Sequence, residues 1–246
     1  MTLWEILRAQ KFARSDDLFT RLAAEKLNGG RVPRNTIAIQ HGAGTFKATA
    51  GGTNIVWKCG TQEIQGNTCN FTVSDDSAQS LVSFDGLLTR FENRSDVQTI
   101  LDLSDLGGRL TGMLNLYDCS NITGSLADLG GRLTYYLNLY NCSNITGSLT
   151  DLGGRLTYYL NLSACKNIIG VYSGNSYPTN VNLSNTGLTA ADMDQTLINF
   201  NAGTTGTGKF TANGMTRTAA SDDAVAGLIS KGWTVTGLTK LEEAGT

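Results

Sequence analysis

The sequence has 246 residues, of which 40% are hydrophobic and 16% are charged, and its formal net charge is −2. This length suffices for one or two domains with a substantial core, and the near-neutral charge argues against a nucleic-acid partner. No run of about eighteen apolar residues is present to span a membrane, and the N-terminus lacks the order of segments typical of a signal peptide. We therefore expect no membrane contact and no export through a cleaved signal.

The first 30 residues contain a duplication with an offset of 15, which relates 3–12 to 18–27. Large apolar residues recur within each copy at i, i+1, i+4 and i+9, which predicts two short amphipathic helices. Because a duplicated anchor suits a duplicated receptor groove, we favour docking to a partner over a helical hairpin packed on the chain itself. The predicted anchoring residues are Leu3, Trp4, Leu7, Phe12, Leu18, Phe19, Leu22 and Leu27.

Residues 31–100 contain short segments of alternating apolar and polar residues, separated by Gly, Asn and Asp. This spacing predicts a small antiparallel β-sandwich, with Trp57 as a core aromatic. The stretch NIVWKCGTQEIQGNTCNFTVSDDSAQSLVSFDG also resembles the Ig-like (PKD-type) modules that precede leucine-rich repeats in bacterial surface and phage proteins, although the histidine and acidic turn of those modules are missing. Cys59 and Cys69 could form a disulfide or remain free thiols.

A 23-residue unit follows, with copies at 105–127 and 128–150 and a third from 151 that decays near 169. A fixed period of this length predicts a solenoid of stacked repeats. Leucines alternate with polar residues in LNLYDC, LNLYNC and LNLSAC, as in a short strand with one buried face. A cysteine comes three residues after the second leucine, and this pattern resembles the leucine-rich-repeat motif LxLxx(N/C)xL. The resemblance implies a short leucine-rich-repeat solenoid over 101–188, while the preceding LTYYL departs from the usual spacing.

Residues 189–246 differ from the repeats and are predicted to form an α/β cap with a polar tail. Thr189 should cap a helix over 190–200, and a strand at 209–214, a second helix through 231 and a strand at 233–235 should follow. GTTGTGKF at 203–210 fails as a P-loop because Phe210 follows Lys209. His41 has no catalytic partner motif nearby. We expect no catalytic residue, metal site or cofactor in this chain.

The outward side of the repeat strands is the predicted ligand-binding face, because amides beside aromatic rings can hydrogen-bond and stack on a sugar or a protein loop. In the alternative, the asparagine amides bond each other along the stack and bind nothing. The face residues are Asn115, Tyr117, Tyr136, Asn138, Tyr140, Tyr159, Asn161 and Asn182.

The expected fold class is α+β and mainly β, with N-terminal helices (1–30), an Ig-like β-sandwich (31–100), a leucine-rich-repeat solenoid (101–188) and an α/β cap (189–246). This order resembles bacteriophage virion proteins such as head fibres, capsid decorations and tail fibres. The resemblance implies a non-enzymatic structural protein, located in the virion, that docks to capsid or tail proteins through 1–30 and displays its repeats to host glycans or proteins. Homo-oligomerisation stays open, and the alternative is a bacterial cell-surface leucine-rich-repeat adhesin.

Overall fold

A computed structural model describes residues 35–75, 78–93 and 98–242, so the predicted helical anchors at 1–30 lie outside the described residues. Strands dominate these ranges. The strands of the first part are β1 (Asn35–His41), β2 (Gly44–Cys59), β3 (Gln62–Gln65), β4 (Thr68–Val73), β5 (Ala78–Asn93) and β6 (Thr99–Asp102). The strands of the second part are β7 (Leu110–Asn115), β8 (Ile122–Thr123), β9 (Tyr136–Asn138), β10 (Thr146–Ser148), β11 (Tyr159–Asn161), β12 (Asn167–Ile169), β13 (Asn180–Asn182), β14 (Lys209–Arg217) and β15 (Thr234–Lys240).

Three α-helices and three 3₁₀ helices connect the strands of the described ranges. The α-helices are α1 (Leu103–Leu106), α2 (Ala190–Gly203) and α3 (Asp222–Ser230), and the 3₁₀ helices are η1 (Leu126–Leu129), η2 (Leu149–Leu152) and η3 (Ala219–Ser221). The helix predicted after Thr189 is confirmed, because the Thr189 side chain accepts from the Asp192 N–H and the Asp192 side chain accepts from the Thr189 N–H. No helix in the described ranges is long and apolar enough to cross a membrane.

The first part of the chain is built on two 16-residue strands, β2 and β5. Strand β2 pairs antiparallel with β3, β4 and β5, and β5 also pairs antiparallel with β1. Alternating residues of these strands point inward, so that Phe46, Trp57, Phe71 and Phe84 are fully buried. The prediction of Trp57 as a core aromatic is confirmed, and its indole N–H donates to the Gly66 carbonyl oxygen at 3.1 Å.

Strand β5 joins this part to the repeats. Its last residues pair in parallel with β7, with Phe91 opposite Leu114 and Glu92 opposite Asn115. Strands β9, β11, β13, β14 and β15 then add to β7 in the same parallel direction. The result is one mixed sheet of 13 strands, whose main path runs β15-β14-β13-β11-β9-β7-β5-β1-β6-β8.

This continuous sheet shows that the expected fold class was wrong. An Ig-like sandwich followed by a leucine-rich-repeat solenoid would be two separate architectures, whereas here β5 is a member of both sets of pairs. The physical reason is that alternation identifies a strand but not the edges along which it pairs. Strand β5 is long enough to pair with β1 over 78–84 and with β7 over 88–92, while β2 pairs along its other edge.

Each repeat places one strand, one turn and one short helical turn at matching positions. The 3₁₀ helices η1 and η2 start with reciprocal caps, between Ser125 and Asp128 and between Ser148 and Asp151. Gly130 and Gly153 end them with φ of +64° and +67°, a conformation that glycine adopts at little cost. Strands β10 and β12 form a separate two-stranded parallel sheet.

The C-terminal part of the fold contains an aromatic cluster around Phe200 of α2. Phe200 contacts the rings of Phe210 and Trp233 edge-on, with centroids 5.3 Å and 5.9 Å away. The indole N–H of Trp233 donates to the Gly206 carbonyl oxygen at 2.7 Å. These contacts pack α2 against β14 and against the residue that precedes β15.

Candidate functional site

The repeat strands are stacked in exact correspondence with the sequence repeat. Leu114, Leu137, Leu160 and Val181 occupy one column and are fully buried. Because side chains alternate along a strand, the residues on either side of this column face away from the leucine core. Neighbouring parallel strands lie about 4.8 Å apart, so equivalent side chains of successive repeats are brought into contact.

The stacking of the repeats brings tyrosine rings into contact. Three pairs stack face to face between repeats, with centroid separations of 4.8 Å for Tyr117 and Tyr140, 5.0 Å for Tyr135 and Tyr158, and 4.5 Å for Tyr136 and Tyr159. These separations match the spacing of the strands that carry the rings. We call this surface the tyrosine face, defined by Tyr117, Tyr135, Tyr136, Tyr140, Tyr158 and Tyr159.

The tyrosine face is accessible despite the stacking. Tyr117, Tyr135 and Tyr158 are 54%, 50% and 46% exposed, whereas Tyr136, Tyr140 and Tyr159 are half-buried. Burial raises the pKa of Tyr136 above its ordinary value, and the neighbouring Tyr159 adds to this effect. A tyrosine side chain can both stack through its ring and hydrogen-bond through its hydroxyl.

The predicted asparagine column is present, but its amide oxygens serve the backbone. Asn115, Asn138, Asn161 and Asn182 stand in register, and each Oδ1 accepts from the backbone N–H two residues later, at 3.0 to 3.3 Å. This bond turns the chain at the end of each strand. Asn138 and Asn161 are buried, and Asn161 Nδ2 donates to the Tyr159 hydroxyl oxygen at 3.3 Å. Their visible role is thus to shape the strand ends beside the rings.

The cysteine column holds the turns from the core side. Cys142 Sγ donates to the Leu116 carbonyl oxygen at 3.0 Å, and Cys165 Sγ donates to that of Leu139 at 2.9 Å. Burial raises the pKa of Cys165 to about 11 and that of Cys142 further. All five cysteines, Cys59 and Cys69 included, are free and buried. Buried thiols of this kind act as packing groups.

Two charged residues of β5, Arg90 and Glu92, lie at the edge of the tyrosine face. Arg90 lies opposite Met113, the residue of the first repeat that corresponds to Tyr136. Its Nε donates to Glu92 Oε1 at 2.6 Å, and Glu92 is buried while the Arg90 side chain is 41% exposed. A guanidinium held by a buried carboxylate keeps a fixed position while its outer N–H groups remain accessible.

Sequence reasoning missed Tyr135 and Tyr158 of the tyrosine face, and it also missed the neighbouring residues Arg90, Glu92 and Gly112. Strict alternation would bury Tyr135, since it is adjacent to Tyr136, but β9 begins only at Tyr136. The paired tyrosines of TYYL were the signal available. The glutamate and arginine belong to β5, whose pairing with β7 bridges distant parts of the sequence.

Other sequence candidates lie elsewhere. His41 is buried in the first part, where it stacks on Phe46 at 4.3 Å and its Nε2 bonds the Ser80 hydroxyl at 2.9 Å. Burial lowers its pKa. Across the described ranges, no group of three or more His, Cys, Asp or Glu side chains could hold a metal ion. The predicted anchors at 1–30 lie outside these ranges.

No protein-family model, curated protein or solved structure matches this chain. The resemblance to phage virion proteins therefore stays a proposal that rests on sequence motifs.

Proposed function

We propose that this protein is a non-enzymatic structural protein of a bacteriophage particle that binds a host-surface molecule. The observation that carries the binding role is the tyrosine face, in which three stacked ring pairs are held at an open sheet surface. Rings fixed in this way lose little conformational entropy when a partner covers them, which favours binding.

Attachment to the particle is assigned to residues 1–30. The support is the duplicated apolar pattern, which would give two similar anchors for capsid or tail proteins. In this arrangement the N-terminal segment docks to the virion as a head fibre, capsid decoration or tail fibre, and the repeats point outward. A bacterial cell-surface adhesin would use the same tyrosine face, so cellular location separates the two proposals.

The test of this proposal is mass spectrometry and cryo-EM of particles purified from a lysate that expresses the chain. Density for 1–30 in a capsid or tail groove is the expected result. Replacing both Trp4 and Phe19 with Ala should abolish incorporation because the larger anchors are lost, while the purified variant keeps the wild-type thermal unfolding. The matched control replaces Tyr117 and Tyr135 with Ala and should still be incorporated. Recovery of the protein at the bacterial surface and its absence from particles would favour the adhesin.

A further inference from the structure

Building on the proposed binding role, we propose that the tyrosine face takes a neutral glycan, with one hexopyranose ring stacked on Tyr135 above Gly112. The site follows from a difference between repeats. The second and third copies carry Tyr135 and Tyr158 at a position where the first copy has Gly112. Tyr158 covers one side of Tyr135, and the other side faces the strand that bears the glycine.

Because residue 112 is a glycine, the first repeat adds no third ring to the Tyr135–Tyr158 stack. The Tyr135 N–H donates to the Gly112 carbonyl oxygen at 3.1 Å, so Tyr135, which directly precedes β9, lies beside Gly112 of β7. A third ring in the Tyr135–Tyr158 stack would therefore lie over Gly112, about 4.8 Å from Tyr135. Tyr135 remains 50% exposed although Tyr158 covers one of its faces. The proposed sugar ring lies on this side of Tyr135.

Position 112 cannot carry a side chain. A Cβ added at Gly112 would overlap the carbonyl oxygen of Thr89 on β5. The same carbonyl therefore forms part of the floor beneath the open ring face. A pyranose presents apolar C–H groups on its faces and hydroxyls on its edge, and an edge hydroxyl can donate to such a carbonyl oxygen. The half-exposed Arg90 guanidinium, on the residue next to Thr89, can donate to a second hydroxyl.

The charges around the site favour a neutral ligand. Arg90 is already bonded to Glu92, so the pair carries no net charge. Arg109 and Arg132, each three residues before the glycine or tyrosine of its repeat, donate to the backbone carbonyl oxygens of Thr36 and Gly108. Each repeat also contains one Asp and one Arg in its DLGGR segment, which balance. A polyanion would find no cationic patch here.

The size of the aromatic surface favours a small ligand over a protein. With about 200 Å² for a whole tyrosine, the three half-exposed rings offer about 300 Å². A standard protein interface buries ~800 Å² on each partner. One or two sugar rings match the smaller area, and stacking on a fixed aromatic ring is the contact that such ligands can make without charge.

The experiment uses the purified full-length chain on a printed panel of oligosaccharides of glucose, galactose, mannose and their N-acetylated forms, beside sialylated and sulfated counterparts. We expect retention by neutral members, followed by calorimetric titration with the best one. Tyr135→Ala should weaken this binding about tenfold, equivalent to ~1.4 kcal/mol. Tyr135→Phe should retain it, because the ring face is kept.

An exposed apolar residue outside the tyrosine face provides the matched control. Ile169→Ala removes a 55% exposed side chain of β12, which belongs to the separate two-stranded sheet, and it should not change the dissociation constant appreciably. Equal losses in Tyr135→Ala and Ile169→Ala, binding to acidic glycans alone, or no glycan binding by the wild type would overturn the inference. Incorporation into virions without glycan binding would support the proposed location and refute the ligand assignment. Glycan binding without incorporation would support the ligand assignment and refute the proposed location.

Discussion

Ala164 occupies a backbone position that alanine tolerates poorly. Its φ is +67°, and the equivalent residues of neighbouring strands are Asp118, Asn141 and Asn185, with φ of +59°, +58° and +53°. Left-handed backbone costs an ordinary L-residue about 1–2 kcal/mol, whereas Asn and Asp adopt it more readily. We therefore expect Ala164→Asn to raise the free energy of unfolding by about 1 kcal/mol.

The second repeat shows what an asparagine contributes here. Asn141 Nδ2 donates to Asp118 Oδ1 at 2.6 Å, which links the turns of two successive repeats. Asn141→Ala loses this bond, worth about 1 kcal/mol, and also places alanine in left-handed backbone. Its expected destabilisation is about 2 kcal/mol.

Urea titration and thermal unfolding measure both changes. A change of 1 kcal/mol should move Tm by roughly 2–4 °C for a chain of this size. Ala127→Asn is the control, because Ala127 is exposed in η1 and has no positive φ. It should give no gain. If Ala164→Asn leaves the unfolding midpoint unchanged, or if Asn141→Ala is neutral, the attribution to left-handed backbone fails.

Two further predictions concern packing and pH. Gly154→Ala should lower the free energy of unfolding, measured by urea titration, by about 3 kcal/mol, because φ is +55° and a new Cβ would overlap Gly174. Gly206→Ala is the control and should lower it little, because the space around Gly206 is open. Equal losses in the two variants would contradict the overlap. Burial raises the pKa of Cys69 and Cys165 from 9.0 to about 11. The folded state thus holds these protons more tightly than the unfolded state does. The contribution of these thiols to the free energy of unfolding is therefore largest below about pH 9 and is lost as the pH rises through 11. Cys165→Ala should flatten this fall between pH 8 and pH 11, and an unchanged slope would refute the assignment.

The sequence allowed those features to be predicted that depend on neighbours along the chain. Alternation identified Leu114 and its equivalents as the buried column, and the Thr189 cap located the start of α2. Both signals are local, since a strand's faces and a helix's first turn are set within a few residues. The tyrosines at 136 and 159 were found for the same reason, and they do stack.

Features that depend on pairing between distant segments could not be found in this way. Nothing in the composition of β5 indicates that its end pairs with β7 rather than with another strand of a sandwich. That pairing overturned the expected fold class and brought Arg90 and Glu92 to the tyrosine face. The sequence also could not show that Asn138 accepts a hydrogen bond from the backbone of the following turn, because a column of amides permits either hydrogen bonds between repeats or local ones.

The junction between β5 and β7 explains why the aromatic stack stops where it does. At Gly112 the carbonyl of Thr89 takes the space of a side chain, so the first repeat cannot carry the tyrosine found in the next two. The backbone contact that joins the repeats to the rest of the sheet is therefore the contact that leaves the Tyr135 ring uncovered. A repeat inserted between β7 and β9 would move the open ring along the array without closing it. The proposed sugar position thus follows from the end of the repeat array, and it should persist whatever the number of repeats.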